Sequence, residues 1–297
     1  MKRRQFITKS SLATAGVAIA ASPLLSNNLF AGDVGKIDQI GFQVYTVRNQ
    51  VKENLRDTLK QLSKSGYDYA EVYGLFGDSV MGHPVQDIKK EFKRAGIALR
   101  SAHCNTGAGN KRKGTFVNNW QMGVDVAAEL GIQHTVCPHL GGNERKTIDD
   151  YKRTAELLNK CGETSKKSGI QMGYHNHAFE FETLEGQIPF DVLAKEMDPD
   201  LVKFELDIYW AVKAKLDPIE LFKTHAGRIN QWHVKDMSKR DEAMAEVGMG
   251  RIDWAAVFAQ AKLSGMEGFF VEQDRDWTNS DIESLKTSAA FLKQLVY

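Results

Sequence analysis

The sequence predicts an α/β fold, a single (β/α)₈ barrel of the TIM-barrel type. From Ile37 onward, short apolar segments alternate with amphipathic segments of helical periodicity. The chain contains about eight of these strand-then-helix units, the number that forms one (β/α)₈ barrel. The alternative, a doubly wound open sheet, usually carries a G-x-G-x-x-G turn after its first strand. Here that turn reads Tyr45-Thr46-Val47-Arg48, which favours the barrel.

The predicted strands are short runs of apolar, β-branched and aromatic residues between turn signals. They cover residues 40–45, 69–72, 97–103, 132–137, 170–174, 202–207, 229–234 and 268–272. The helices between them repeat apolar residues at helical spacing and often end at a glycine. They are expected at residues 55–62, 84–96, 117–130, 148–167, 218–223, 254–263 and 281–295.

The first 31 residues differ in kind from the rest of the chain. Arg3-Arg4-Gln5-Phe6 precedes a mildly apolar, alanine-rich run at residues 11–21, the pattern of a twin-arginine export signal. That run is too short and too rich in small polar residues to span a bilayer comfortably. We therefore expect residues 1–31 to be a signal peptide, residues 32–297 to form the barrel, and the mature protein to be periplasmic without a stable membrane span.

Composition excludes some classes of protein. The net charge is +1 and charges of both signs are interspersed, whereas a protein that binds nucleic-acid backbones usually presents a positive field. Cys104, Cys137 and Cys161 are odd in number and lack C-x-x-C spacing, so neither a disulfide framework nor a zinc-finger site is expected.

The late predicted strands end in residues that bind metals. The fifth ends at His175, the sixth at Asp207, the seventh at His233 and the eighth at Glu272. In a parallel barrel these ends converge on one face. Mixed nitrogen and oxygen donors suit Mn²⁺, Co²⁺, Zn²⁺ or Fe²⁺ better than Ca²⁺. The sequence thus predicts a divalent-metal site at this face, although each residue taken singly also has an ordinary structural explanation.

Further polar residues near the strand ends are candidates for catalysis. Lys235 follows His233 at strand spacing and could donate to a developing oxyanion; the alternative is a surface lysine paired with Asp236. Glu71 and His103 end the second and third strands, where they could act as bases or bind hydroxyl groups, or simply anchor loops.

Other candidates would bind substrate or supply a base. His177 is a possible base beside His175, and His139 a possible ligand for a substrate hydroxyl group. Trp210 and Trp277 could stack on a sugar face, although aromatic residues at such positions are more often packed in the core.

Several stretches together resemble the xylose-isomerase-like TIM barrels, a family that includes sugar isomerases and epimerases and inosose dehydratases. The resemblance covers essentially all of the chain after the signal. In combination with the export signal, the chain resembles the secreted or periplasmic branch of this family. The matching stretches are residues 174–181, 205–210, 233–236, 246–253 and 271–272. Glu246 begins one of them and is a candidate substrate-binding residue.

The resemblance implies a metal held by His175, Asp207, His233 and Glu272, and abstraction of a proton α to a carbonyl. Epimerases of the family carry Glu where this chain has His175, and that Glu is one of their two carboxylate bases. This chain therefore lacks one of the two bases. We expect a metal-dependent sugar isomerase or epimerase that uses Mn, Co, Zn, Fe or Mg. A lyase, dehydratase or keto-glycoside-cleaving enzyme is the first alternative, and a non-catalytic sugar-binding barrel the second.

A nuclease is the weakest hypothesis, because the nuclease relatives carry more metal-binding histidines and a basic face, whereas this chain is nearly neutral. The expected partner is a small carbohydrate or polyol rather than nucleic acid. The identity of the sugar, the physiological metal and the oligomeric state stay open.

Overall fold

The structure, a computed structural model, describes residues 35–110 and 112–297. Eight parallel strands close into a barrel in which each strand pairs with the next along the chain, and the last pairs with the first. The strands are β1 Gly41–Gln43, β2 Tyr69–Tyr73, β3 Ala98–His103, β4 His134–Cys137, β5 Gln171–His175, β6 Val202–Asp207, β7 Ile229–Val234 and β8 Gly268–Val271. The predicted (β/α)₈ barrel is confirmed. The predicted export signal lies outside the described residues.

Helices lie outside the barrel and connect its strands. They are α1 Arg48–Ser65, α2 Val85–Ala95, α3 Trp120–Leu130, α4 Ile148–Lys166, α5 Pro189–Glu196, α6 Ile208–Lys213, α7 Pro218–Thr224, α8 Trp254–Phe258, α9 Ala261–Ser264 and α10 Asp281–Leu292. None of the helices in the described ranges is long and apolar enough to cross a membrane.

Local sequence explains several helix boundaries. Gly66 ends α1 with a left-handed φ of 91°, a conformation that costs glycine little. Thr147 begins α4 with a capping box in which its side chain and that of Asp150 exchange hydrogen bonds with each other's backbone. Pro189 and Pro218 stand in the first turn of their helices, where the missing N–H has no partner to lose.

The structure corrects some predicted boundaries. The first strand ends at Gln43, because the chain turns into a 3₁₀ helix whose Tyr45 N–H donates to the Gln43 side chain. The predicted helix at residues 254–263 is two short helices, α8 and α9. Helices α5 and α6 were not predicted, since both are short and lack a long periodic pattern.

The apolar core lies mainly between the barrel and its helices, while the barrel interior is largely polar toward its C-terminal end. Lower in the interior, the Tyr69 and Phe270 rings pack edge to face with centroids 5.5 Å apart. A Cβ on Gly41 would lie 2.2 Å from the Tyr69 ring, so this position in β1 has no room for a side chain. In the described part of the chain, these rings fill the barrel below the polar cluster.

Candidate metal and active site

The C-terminal ends of the strands bring a cluster of imidazoles and carboxylates into contact. All of its members have side chains that are nearly or completely buried. They are Glu71, His103, His175, Glu205, Asp207, His233, Lys235 and Glu272. Apart from Glu205, every one of them is a site residue that the sequence predicts.

Two groups of potential ligand atoms overlap within this cluster. In the outer set, Asp207, His233 and Glu272 place one ligand atom each within 4.8 Å of one another. In the inner set, His103, His175, Glu205 and His233 meet the same condition. His175 Nε2 is also 3.6 Å from Asp207 Oδ2, so all four predicted ligands contact at least one other member of the cluster.

The inner set is joined by short contacts that centre on two carboxylate oxygens. His103 Nε2 lies 2.8 Å from Glu205 Oε2 and 2.9 Å from Glu71 Oε2. His233 Nε2 lies 2.7 Å from Glu71 Oε2, and its Nδ1 lies 2.9 Å from Glu272 Oε2 in the outer set. His175 Nδ1 lies 3.1 Å from Glu205 Oε2.

Glu71 has further donors beneath the imidazoles. Gln43 Nε2 donates to its Oε2 over 2.6 Å, and Ser101 Oγ donates to its Oε1. Burial alone would raise its pKa, but the charges and hydrogen bonds of His103 and His233 hold the pKa of Glu71 well below its ordinary value. At His103, burial would lower the pKa, but the Glu71 and Glu205 carboxylates outweigh burial and raise the pKa of His103 to about 9.

Lys235 is a buried cation at the outer set. Its Nζ lies 2.7 Å from Glu272 Oε2, 3.0 Å from Asp207 Oδ2 and 3.0 Å from Asp274 Oδ2. Burial opposes its charge, but the three carboxylates keep the pKa of Lys235 well above its ordinary value. The alternative of a surface lysine paired with Asp236 is wrong, because Lys235 is only 1% exposed and contacts other acids.

An aromatic group lies beside the cluster. The ring centroid of His177 is 5.1 Å from that of His139, 5.5 Å from that of Phe179 and 5.3 Å from that of Trp210. Within the described part of the chain, His177 Nδ1 and Trp210 Nε1 are buried without a hydrogen-bond partner. Lys235 Nζ lies 5.9 Å from the Trp210 ring, which places this aromatic group next to the outer set.

Two predicted substrate-binding residues are held in loop contacts. The Glu246 carboxylate accepts hydrogen bonds from Thr278 N and Oγ1 and from Ser284 Oγ, which ties its loop to the start of α10. Trp277 Nε1 donates to the Gln273 carbonyl, and its ring faces the Arg48 guanidinium at 6.0 Å. No contact between either residue and the buried cluster is observed among the described residues.

Glu205 is the main residue that sequence reasoning missed. In β6, Val202, Phe204 and Leu206 alternate with Lys203, Glu205 and Asp207. Successive side chains of a strand point to opposite faces, so an alternation of this kind in a barrel strand puts its charged face inside the barrel. The same rule, applied two residues back from Asp207, would have identified Glu205.

The donor set suits a divalent cation. Imidazole nitrogens and carboxylate oxygens are the ligands that Mn²⁺, Fe²⁺, Co²⁺ and Zn²⁺ accept. Glu205 Oε1 is buried and has no hydrogen-bond partner among the residues described, and an unpartnered buried carboxylate oxygen is costly unless something charged satisfies it. The cluster could therefore hold a metal ion.

Fold and cluster together define a TIM-barrel protein with a buried His and carboxylate site at the C-terminal ends of its strands. The profile of the xylose isomerase-like TIM barrel family matches residues 59–295. The chain belongs to this family.

Individual relatives carry two kinds of name. A crystal structure of a sugar phosphate isomerase/epimerase from Parabacteroides distasonis is 29% identical with a TM-score of 0.75, covering 89% of this chain and 96% of that one. The inosose dehydratase of Clostridium perfringens is 28% identical over 182 residues, 54% of this chain and 61% of the relative. That of Clostridium beijerinckii is 24% identical over 270 residues, 84% of this chain and 83% of the relative. The match to the first dehydratase thus spans less than two thirds of that protein.

Proposed function

We propose that this protein is a divalent-metal-dependent enzyme that removes a proton α to a carbonyl group of a carbohydrate or polyol. The observation that carries the proposal is the outer set, in which Asp207, His233 and Glu272 converge beside the buried ammonium of Lys235. A protein that only bound sugar would need neither a metal-ligand cluster nor a buried lysine within it. Membership of the xylose isomerase-like family supports an enzyme of this kind.

His175, Asp207, His233 and Glu272 would hold the ion. A bound divalent cation acts as a Lewis acid that polarises a carbonyl oxygen and so acidifies the neighbouring C–H group. Low-lying aromatic residues close the barrel beneath the cluster, so substrate would approach from the strand ends.

Lys235 would bind the oxygen that gains negative charge. Its three N–H donors all face carboxylates, and two of these belong to the proposed metal ligands Asp207 and Glu272. Metal ligation would free a donor for the substrate oxygen, while Asp274 keeps the ammonium in place. Glu272 is the candidate base. Burial opposes its charge, but the charges of Lys235 and His233 keep its pKa well below the ordinary value, so the carboxylate is ionised. Because such a carboxylate is a weak base, proton removal would depend on the acidification of the C–H group by the metal.

His177 would bind a substrate hydroxyl or exchange a proton with it. Burial lowers its pKa to about 3, so the ring is neutral near pH 7 and its unpartnered Nδ1 is available. His139 and Trp210 extend the same aromatic wall and would contact the sugar ring. Glu71 and His103 bind each other and their neighbours beneath the outer set, which favours a supporting role over that of a base.

Isomerisation or epimerisation is our first assignment, in line with the name of the Parabacteroides relative. Elimination of water is the second candidate, and a specific feature favours it. His175 stands where epimerases of the family carry Glu, so one carboxylate base is left, and elimination needs only one base together with an acid for the leaving oxygen. The inosose dehydratase relatives agree with that second candidate.

The proposal is tested by incubating metal-loaded protein with ketoses, keto-glycosides and inososes in D₂O and following products by NMR. Proton abstraction predicts solvent deuterium at the α carbon of a product. An epimer or aldose–ketose partner would establish the first assignment, and an unsaturated or cleaved product the second. Failure to exchange deuterium into any substrate, with metal bound, would refute the proposal in favour of a sugar-binding barrel.

A further inference from the structure

The inner set contains more short contacts than its hydrogens can serve. Three ring nitrogens, His103 Nε2, His175 Nδ1 and His233 Nε2, make five contacts of 2.7 to 3.3 Å with Glu71 Oε2 and Glu205 Oε2. Each ring nitrogen carries at most one hydrogen, so no more than three of the five contacts can be good hydrogen bonds. At least two of the five short nitrogen–oxygen contacts therefore have no good hydrogen bond between their atoms, and imidazole nitrogens and carboxylate oxygens converge on one point.

Two carboxylates share this buried space. Glu71 and Glu205 each place an oxygen within 2.9 Å of His103 Nε2, and both side chains are almost fully buried. Two ionised carboxylates this close together repel each other. The second oxygen of Glu205 is buried without a hydrogen-bond partner in the described ranges. A cation among these groups would relieve the repulsion and could satisfy the unpartnered oxygen of Glu205.

The rings of His175 and His233 each face carboxylates of both sets. His233 presents Nε2 to Glu71 and Nδ1 to Glu272, and His175 presents Nδ1 to Glu205 and Nε2 to Asp207. Lys235, the buried cation of the outer set, pairs with Asp207, Glu272 and Asp274 but makes no observed contact with Glu71 or Glu205. The inner set thus has metal-type donors and no lysine, and its two carboxylates face imidazoles alone among the basic side chains observed to contact them in residues 35–110 and 112–297.

We propose that the inner set, His103, His175, Glu205 and His233 with Glu71, is a second divalent-cation site, so that the loaded protein holds two ions. The ion of the proposed reaction would occupy the outer set, and the second would lie deeper. His175 and His233 would serve both ions through their two ring nitrogens, which requires each ring to release its N–H proton to solvent when both ions are bound. This inference rests on the proposed metal dependence and extends it. The donor chemistry selects Mn²⁺, Fe²⁺, Co²⁺ or Zn²⁺ over Ca²⁺ or Mg²⁺.

The test is metal stoichiometry of full-length protein stripped with a chelator, reloaded with Mn²⁺ and desalted. His103→Gln and Glu205→Gln alter only the inner set, and Asp207→Asn alters only the outer set. His134→Gln is the matched control, since this buried histidine lies on another part of the barrel and pairs with Glu267 at 3.4 Å. Far-UV circular dichroism and Tm identify any variant that fails to fold.

We expect two Mn²⁺ per wild-type chain and per His134→Gln chain, and one in each of the other three variants. Electron paramagnetic resonance gives an independent readout: spin coupling between two Mn²⁺ ions should be present in wild type and absent from Glu205→Gln. One ion in wild type that Asp207→Asn removes and Glu205→Gln leaves in place would overturn the second site alone. No bound metal in any folded form would refute the proposed metal dependence itself.

Discussion

Glu180 illustrates how one buried residue positions a candidate site residue. Its carboxylate accepts a 2.7 Å hydrogen bond from the Tyr174 hydroxyl and another of 2.7 Å from the His177 backbone N–H. The chain just after β5 is thereby fixed, and with it the ring of His177. The position is costly for a charge: burial raises the pKa of Glu180 to about 7.

This shift predicts how stability depends on pH. The pKa of Glu180 is about 7 in the folded protein against an ordinary 4.5, so folding favours its protonated form. That contribution to the free energy of unfolding is fully present below pH 4.5 and is lost as pH rises to 7. The loss is roughly 3 kcal/mol at most, because each pH unit in that interval corresponds to about 1.4 kcal/mol.

Glu180→Gln should abolish this dependence. The amide can accept from His177 N and donate to the Tyr174 oxygen, so both hydrogen bonds survive. We expect the variant to gain in Tm over wild type as pH rises from 4.5 to 7, with no further gain above, measured by thermal unfolding in EDTA. The exposed neighbour Glu182→Gln is the control. A Tm difference that is the same at every pH would contradict the prediction.

At the scale of elements, one carboxylate organises the segment that follows β7. Asp236 accepts hydrogen bonds from the backbone N–H groups of Met237, Gly248, Gly250 and Ile252, and from the indole of Trp254. Asp236 thus binds several points of the segment that runs to Trp254, 18 positions further along the chain. Because Lys235 precedes Asp236, these contacts also fix the backbone beside the candidate site.

Gly250 is the tightest point of this arrangement. A Cβ there would lie 2.1 Å from Asp236 Oδ1 and 2.4 Å from the Met237 carbonyl oxygen. Gly250→Ala should therefore break part of the Asp236 network and cost on the order of 1–3 kcal/mol of stability. Hydrogen exchange should rise in residues 244–254 while the barrel strands stay protected.

Gly142→Ala is the matched control, because a Cβ at that position meets no atom within 4 Å. It should leave Tm and hydrogen exchange near those of wild type. Equal Tm values for the two alanine variants would contradict the role given to Asp236.

At the scale of the whole molecule, export of the folded protein is a proposal that rests on sequence. Arg3 and Arg4 begin the predicted twin-arginine signal. Replacing both by lysine should leave the protein in the cytoplasm, measured by cell fractionation with a cytoplasmic marker enzyme followed in parallel. Unchanged recovery of the double variant from the periplasm would count against the twin-arginine route.

The barrel explains why distant residues form one site. His103 and Glu205 are 102 positions apart, and Glu71 and His233 are 162 apart, yet each pair is in hydrogen-bond contact. Parallel strands of a closed barrel present their C-terminal ends at one rim, so eight local strand ends become neighbours.

Local patterns in the sequence were sufficient to predict the barrel and the strand ends. Apolar periodicity and glycine stops such as Gly66 and Gly96 depend on interactions within one turn or one strand, which neighbouring residues determine. The same logic placed His175, Asp207, His233 and Glu272 at one rim, because a strand end can be identified without knowing its partners.

Tertiary structure alone decided which groups pair. Nothing in the local sequence shows that Lys235 faces Asp207, Glu272 and Asp274 rather than Asp236, or that Glu205 lies under three imidazoles. Those contacts depend on strand register and on closure of the barrel, which bring charges from separate strands into a buried space. Burial then sets their pKa values and makes the pairing energetically important, so the chemistry of the site belongs to the fold as much as to its residues.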